Sequence, residues 1–256
     1  MHCKVSQQSR VLLVKKKVQK TFSYSSLLDL NRMKIGIVGG TGGMGEGFAL
    51  RWCLKHDIFI GSRDTTRANE AAKQYMVSAR ENYGDNMTGN ISGEENVRLS
   101  EICDLVILSI PYESTESTCV GISERISPKC IIVTPIVPMR REDKGFTYLP
   151  LEEGVKSAAE LVSDYIRPRD RIVSAFHTIS EVKLKDIKQS LAVDTFVCGD
   201  DQDNVSTINS LIGEIKGLRP IYFGPLSMSY QAEILTPMLL NASKRNKIKH
   251  PGLMVT

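Results

Sequence analysis

Apolar positions in this chain come in two alternating rhythms. Lys34–Val38 reads Lys-Ile-Gly-Ile-Val, a short β-rich run closed by Gly39-Gly40. Residues 43–55 then place Met44, Phe48 and Trp52 four apart, the spacing of one helical face. Asp57–Ile60 predicts a second strand, stopped by Gly61. Thr65 or Thr66 is placed to cap a helix whose buried face holds Ala68, Ala71, Ala72, Tyr75, Met76 and Ala79. Residues 84–96, rich in Gly, Asn and Ser, read as a loop. Leu105–Ile110 is a continuous apolar strand of the kind buried in parallel sheets. A helix over about 114–126 and a strand at Cys130–Thr134 follow. Pro135–Pro138 breaks regular structure, and 139–150 read as an exposed loop.

The alternation then resumes, with a helix over about 155–166 and a strand over 171–176. Next come a strand at Thr195–Cys198, a helix over 203–214 and a strand at Pro220–Phe223. A last amphipathic helix starts near Ser227, with a kink expected at Pro237. No internal repeat occurs. The pattern predicts an α/β fold: a Rossmann-type, doubly wound, mainly parallel sheet with right-handed crossovers and a smaller C-terminal part. The expected division is an extension over 1–32, a dinucleotide-binding domain over 33–176 and the smaller part over 177–256.

Charge sharpens the first of these boundaries. The 256 residues carry 33 Lys+Arg against 29 Asp+Glu, a net +4. Residues 1–32 hold seven basic groups and one acid, which leaves the rest slightly acidic and argues against a nucleic-acid-binding body. The extension reads as the product of an upstream start codon with Met33 the true start, as a disordered basic tail, or as a transit peptide, although its positive charge is mostly lysine. No apolar run approaches the ~18 residues of a membrane span. The six cysteines are scattered, without a CxxC pair, and most have apolar neighbours. They read as buried free thiols of a cytosolic protein rather than disulfides. The four histidines show no zinc-ligand spacing, and no metal is expected.

The strongest local signal is the run from Gly39 to Gly45, in which Gly40, Gly42 and Gly45 satisfy G-x-G-x-x-G between a strand and a helix. Gly40 permits the tight turn, Gly42 the approach of a pyrophosphate, and Gly45 close helix–strand packing, with free helix amides facing the anion. An NAD site would place a carboxylate at the end of the next strand. Here Ser62-Arg63 stands at that place, with Arg67 one turn on. A hydroxyl and guanidinium forks bind a 2′-phosphate, so NADP is preferred over NAD. Asp64 offers Arg63 a competing ion pair. None of the eight tyrosines has Lys four residues on, which disfavours the Tyr-x-x-x-Lys chemistry of short-chain dehydrogenases.

Ligands of such folds sit at the carboxyl ends of the strands. Those ends read Ile110-Pro111-Tyr112, Thr134–Pro138 and Phe176–Ser180, mostly apolar, with His177 the obvious titrating group and Glu113, Glu116 and Glu181 near in sequence. Such a surface suits direct hydride transfer between two planar rings that need only be stacked and kept dry. His177 reads as a general acid, as a hydrogen-bond donor to a ligand carbonyl, or as a core residue bonded to backbone.

The run Met33–Gly42, Gly61-Ser62-Arg63, Pro135–Pro138, Lys144–Tyr148, Ala175–Ile179, Val197–Asp201, Gly217–Pro220 and Gly224–Ser227 together resemble the archaeal NADPH-dependent coenzyme F420 reductases, over about residues 33–242. The resemblance implies a homodimer that transfers a hydride reversibly between nicotinamide C4 and C5 of the 5-deazaflavin. It implies that Thr41, Gly42, Gly43 and Met44 hold the pyrophosphate and that Ser62, Arg63 and Arg67 hold the 2′-phosphate. Tyr112, Glu116 and Glu181 then line the NADP site, while His177, Ile179 and Leu226 contact the deazaflavin. Three positions depart from the family pattern: Arg67 for Lys, Tyr112 for Trp, and Ser180 for Pro. Lys244–Thr256 and the basic extension match poorly. The Val197–Asp201 stretch reads as a strand entering a helix whose dipole favours Asp200, Asp201 and Asp203, not as a metal site. Two other readings of the scaffold are an NADPH-dependent imine or ferric-chelate reductase and a non-enzymatic NADP(H) sensor.

Overall fold

The short apolar runs become strands, buried at the centre of the sheet and partly exposed at its Pro220–Phe223 edge. The computed structural model describes residues 32–149, 151 and 155–256. These fall within one compact unit, Asn31–Thr256. The readings of the extension lie outside the described residues.

The first half contains β1 (Lys34–Val38), α1 (Gly43–Trp52), β2 (Asp57–Ser62), α2 (Thr65–Tyr83), β3 (Asn90–Glu95), α3 (Asn96–Ile102), β4 (Leu105–Leu108), α4 (Thr115–Ser123) and β5 (Ile131–Thr134). After it come the hairpin β6 (Met139–Glu142) and β7 (Gly145–Tyr148), α5 (Ala158–Tyr165) and β8 (Ile172–Ser174). The last elements are α6 (Glu181–Lys185), β9 (Val193–Gly199), α7 (Gln202–Gly213), β10 (Leu218–Gly224) and α8 (Ser229–Asn246).

The main sheet has the order β10-β9-β8-β5-β4-β1-β2-β3. Its β3-β2-β1-β4-β5-β8 part is the strand order of a dinucleotide-binding fold, parallel throughout. Beyond it β9 joins antiparallel to β8, and β10 runs parallel to β9. β4 and β5 are buried along their whole length, as strands covered on both faces must be. Four of the five residues of β1 are buried as well.

Several local details differ from the sequence pattern. Residues 84–96, expected as a loop, contain β3 and the start of α3. β3 is an edge strand with a single buried apolar residue, Ile91, and so carries almost no hydrophobic signal. Residues 139–150 hold a hairpin whose register pairs Met139 with Tyr148. Asn241 of α8 clasps it by bonding both the N–H and the carbonyl of Phe146, at 2.8 and 2.7 Å. The cap of α2 is Asp64, not Thr65 or Thr66: its carboxylate accepts from the Thr66 and Arg67 amides. Asp64 is thereby occupied as a cap and makes no ion pair with Arg63. Asp201 caps α7, as the dipole argument anticipates. Asp200 instead accepts from the Leu226 amide and from Arg169.

The five cysteines among the described residues are buried and free. Burial pushes the thiols of Cys53, Cys119 and Cys130 up to about 12, so they are inert packing groups. No helix among the described residues is long and apolar enough to cross a membrane.

Candidate active site at the carboxyl edge of the sheet

β1 and β4 are neighbours whose onward connections go to opposite sides, which opens a crevice beyond their carboxyl ends. The loops there are pressed together: a Cβ on Gly39 would lie 2.6 Å from the Ser109 carbonyl. A Cβ on Gly45 would lie 2.4 Å from the Gly40 carbonyl, so helix and loop touch backbone to backbone. A Cβ on Gly42 would meet only the Gly39 carbonyl, at an uncrowded 3.9 Å, and no side chain caps α1. The first amides of α1 therefore face the crevice free.

A cleft of about 910 Å³ begins at this loop. Thr41, Gly42, Gly43 and Met44 line one end, with Ser62, Arg63 and Arg67 beside them. Both guanidinium groups are exposed, and among the described residues neither has an ion-pair partner. The cleft continues past Tyr112 and the Pro135–Val137 turn to His177, Ile179 and Glu181. A second cavity of about 470 Å³ lies against its far end. Met44, Met139, His177, Ile179, Glu181 and Thr236 line both.

Eleven of the thirteen residues singled out from the sequence thus border one continuous space. Glu116 instead lines a separate, smaller hollow with Tyr112, Glu113 and Tyr165. Leu226 is fully buried in the hydrophobic core with Leu108 and Ile172, outside the lining of either cavity. Several lining residues carry no sequence signal of their own, three of them in or beside the main cleft. Asn96 sits at the start of the unanticipated α3, Met139 starts the hairpin, and Thr236 lies on α8. Asn96 is notable because its Oδ1 is buried without a hydrogen-bond partner.

His177 is held by an unusual backbone. The preceding Phe176 has φ 69°, a left-handed conformation costly for a bulky residue. It is over-determined by packing and bonding. Its ring meets Phe48 and Trp52 edge-on at 4.9 and 5.9 Å, and its amide donates to Thr195 Oγ1 at 2.8 Å. The His177 carbonyl accepts from Thr236 Oγ1 at 2.7 Å. The ring itself is buried, and burial pushes its pKa down to about 4 despite a hydrogen bond to the Thr134 backbone that favours the proton. That bond is the kind a ring N–H makes with a carbonyl. Nε2 has no partner, so a neutral ring that spends its one N–H on Thr134 presents Nε2 as a bare acceptor. It suits a ligand N–H, and it is a poor general acid at neutral pH.

This has a measurable consequence. The folded state excludes the proton, so the stability it confers is complete above the ordinary value of 6.5 and is lost as pH falls from there through about 4. A ¹⁵N NMR titration should find the His177 ring neutral at pH 5.5, with its transition near 4. A transition above 6 would contradict the burial argument.

The candidate site is secured from below. Arg51 of α1 is buried, and its guanidinium donates to the carbonyls of Leu184, Lys183, Asp186 and Gln189 at 2.7, 3.0, 2.9 and 3.3 Å. Lys185 pairs with Glu46 at 3.5 Å across the same contact. A Cβ on Gly43 would meet Glu181 Oε2 at 2.7 Å. The glycine loop and the segment after His177 are therefore one packed unit. No group of three or more His, Cys, Asp or Glu among the described residues is placed to hold a metal ion.

Comparison with known proteins places the chain in a family. The family model described as "NADP oxidoreductase coenzyme F420-dependent" matches residues 34–138. The F420-dependent NADP reductase of Methanocaldococcus jannaschii is 35% identical over 226 residues, 88% of this chain and 98% of that protein. The enzyme of the same name from Methanothermobacter thermautotrophicus is 30% identical over 229 residues, 88% of this chain and 95% of its own. Among solved structures, a candidate F420-dependent NADP reductase from Arthrobacter sp. FB24 superposes with a TM-score of 0.71 at 18% identity, covering 88% of this chain and 99% of its own, a likeness of fold. With 35% identity spanning nearly all of a curated relative, the chain belongs to the family of F420-dependent NADP reductases.

Proposed function

We propose that this chain passes a hydride directly and reversibly between NADP(H) and coenzyme F420. The observation that carries the reading is the shared wall of the two cavities. One cavity leads from a phosphate-binding loop, the other opens beside it, and they meet at Met44, Met139, His177 and Ile179. The nicotinamide and the deazaflavin supply the hydride chemistry when bound: NADPH, a proton and F420 become NADP⁺ and reduced F420.

The chain's own residues bind, orient and dry the site. The Thr41–Met44 amides hold the pyrophosphate, and Ser62, Arg63 and Arg67 hold the 2′-phosphate. The open guanidinium groups and the free amides of α1 fit those anions. Tyr112 and the Pro135–Val137 turn form the apolar wall of the nicotinamide end, and Ile179 that of the deazaflavin end. His177 Nε2 and the Glu181 carboxylate are acceptors for ring-system N–H groups. Glu116 and Leu226 act at a remove, the first from its neighbouring hollow beside Tyr112 and the second through the core. On this reading residues 33–176 chiefly serve NADP and residues 177–256 chiefly serve F420. The proposed location is the cytoplasm, in keeping with the buried free thiols.

Mixing purified protein with NADPH and oxidised F420 tests the reaction through loss of the yellow deazaflavin absorbance. Folded protein that gives no turnover refutes it. The proposed assembly is a homodimer, supported by exposed Ile234 and Met238 one turn apart on α8. A monomer's mass by light scattering would contradict it.

The 2′-phosphate assignment has its own test. Arg63→Ala should weaken NADPH by about 1.5–3 kcal/mol, the loss of a charge-assisted contact, which is roughly 10- to 150-fold, and leave NADH nearly untouched. Equal losses for both nucleotides in steady-state KM would contradict it.

A further inference from the structure

The last part of the chain builds one rim of the second cavity. After α8 ends at Asn246, Lys247 turns the chain in a left-handed conformation, and the Ile248 amide bonds back to the Ser243 carbonyl at 3.1 Å. The tail then docks at the amino end of β9. The Asp194 amide donates to the Leu253 carbonyl at 2.8 Å, and the Val255 amide donates to the Asp194 carboxylate at 2.6 Å. This anchoring brings His250 against Ser180, with Nδ1 and Oγ 3.3 Å apart, beside the segment that begins at His177. Ser243, His250 and Pro251 thereby line the 470 Å³ cavity opposite His177 and Ile179.

The end of α8 and the tail bring only positive charges to this rim, while Glu181 is the one carboxylate among the residues lining the cavity. Residues 234–256 carry Lys244, Arg245, Lys247 and Lys249 and no Asp or Glu. All four are exposed, and among the described residues none has an ion-pair partner. Two of them adjoin lining residues in sequence: Lys244 follows Ser243, and Lys249 precedes His250. The NADP end of the cleft already has its cations at Arg63 and Arg67. A second cluster at the opposite end calls for a second anion.

F420 provides one. Its deazaflavin is carried on a side chain that ends in a phosphodiester and a run of glutamates. We propose that Lys244, Lys249 and His250 form the subsite for this anionic side chain and so select intact F420 over the bare deazaflavin. This rests on the function proposed above. The ring enters between His177 and Ile179, and the side chain leaves past Ser243 and His250 toward the lysines.

The test compares two acceptors, intact F420 and the same deazaflavin lacking phosphate and glutamates. In Lys244→Glu/Lys249→Glu, the KM for F420 should rise about 10-fold, the scale of two reversed rim charges. The KM values for the truncated deazaflavin and for NADPH should move less than about twofold, since neither reaches this rim. Added salt should raise the F420 KM of the unaltered protein and hardly move that of the variant. Lys244→Gln/Lys249→Gln should fall between the two. An F420 KM that stays put, or one that moves together with that of the truncated acceptor, overturns the subsite. Failure of the unaltered protein to turn over either acceptor overturns the function beneath it, and the subsite with it.

Discussion

Arg51→Met should lower the unfolding free energy by about 3–5 kcal/mol, with nucleotide binding weakened in the protein that still folds. Methionine keeps most of the aliphatic bulk and removes the fork. Four carbonyls around α6 and its exit then lose a charged donor at once. α6 is five residues long, too short to satisfy its own last carbonyls, and Arg51 does so from the neighbouring helix. Each hydrogen bond to a charged group is worth about 1.5–3 kcal/mol, and the four are not additive because opened carbonyls find water. For a chain of this size the change corresponds to a fall in melting temperature of roughly 10 °C. Arg51→Lys should recover little, since a point charge cannot span carbonyls that a planar fork reaches. Urea unfolding of the three proteins decides it. A difference below about 1 kcal/mol would mean that α6 stands without this support.

Gly45→Ala should cost nucleotide affinity about 100-fold or more. The new methyl would sit 2.4, 2.5 and 2.6 Å from the oxygen, Cα and carbonyl carbon of Gly40. All three are backbone atoms, so no rotamer change relieves the clash. Either α1 backs away from β1 or the Gly40 turn opens. Overpacking of this kind costs about 1–3 kcal/mol and sometimes more, and here it falls on the turn that aims the helix amides at the pyrophosphate. Titration of NADPH fluorescence measures the loss. The contrast is Gly121→Ala, where the added Cβ meets nothing within 4 Å. Equal nucleotide affinity in the two variants would show that the close approach is not what shapes the site.

These two residues differ in how visible they were. Gly45 belongs to a pattern whose spacing is itself the constraint, and β1, β2, β4 and β5 announce themselves by continuous apolar runs. Arg51 looks like any helix arginine in the sequence, because its partners lie more than 130 residues away. Asn96 is hidden for a related reason. It follows an edge strand, β3, which needs only one buried side chain to hold its place. Met139 is obscured by the charged hairpin around it, and Thr236 by a helix whose amphipathic pattern marks the core and not the cavity. The glycine loop and the Ser62-Arg63 pair stand out in the sequence by their fixed offsets from β1 and β2, and the structure brings them together at one end of the cleft. The second cavity was less legible. Its wall is assembled from loop, hairpin, last helix and tail, and no local spacing encodes that assembly.

The single antiparallel pairing in the sheet, β8 with β9, has a consequence for where the chain can go. Had β9 run parallel, the chain leaving β8 would have had to travel back beneath the sheet before re-entering it. Because β9 starts at the same edge where β8 ends, the chain from Ala175 to Glu181 stays at that edge, and the stretch after it lies along α1, where Leu184 packs on Gly47 and Arg51 bonds the carbonyls out to Gln189. His177, Ile179 and Glu181 are thus kept at the mouth of the crevice by a change of direction in one strand, with α6 bracing them against α1. α8 then climbs back to the same edge and delivers the tail beside them. A fold that ordinarily holds one dinucleotide acquires a second cavity this way, with the β6–β7 hairpin adding only Met139 to its wall.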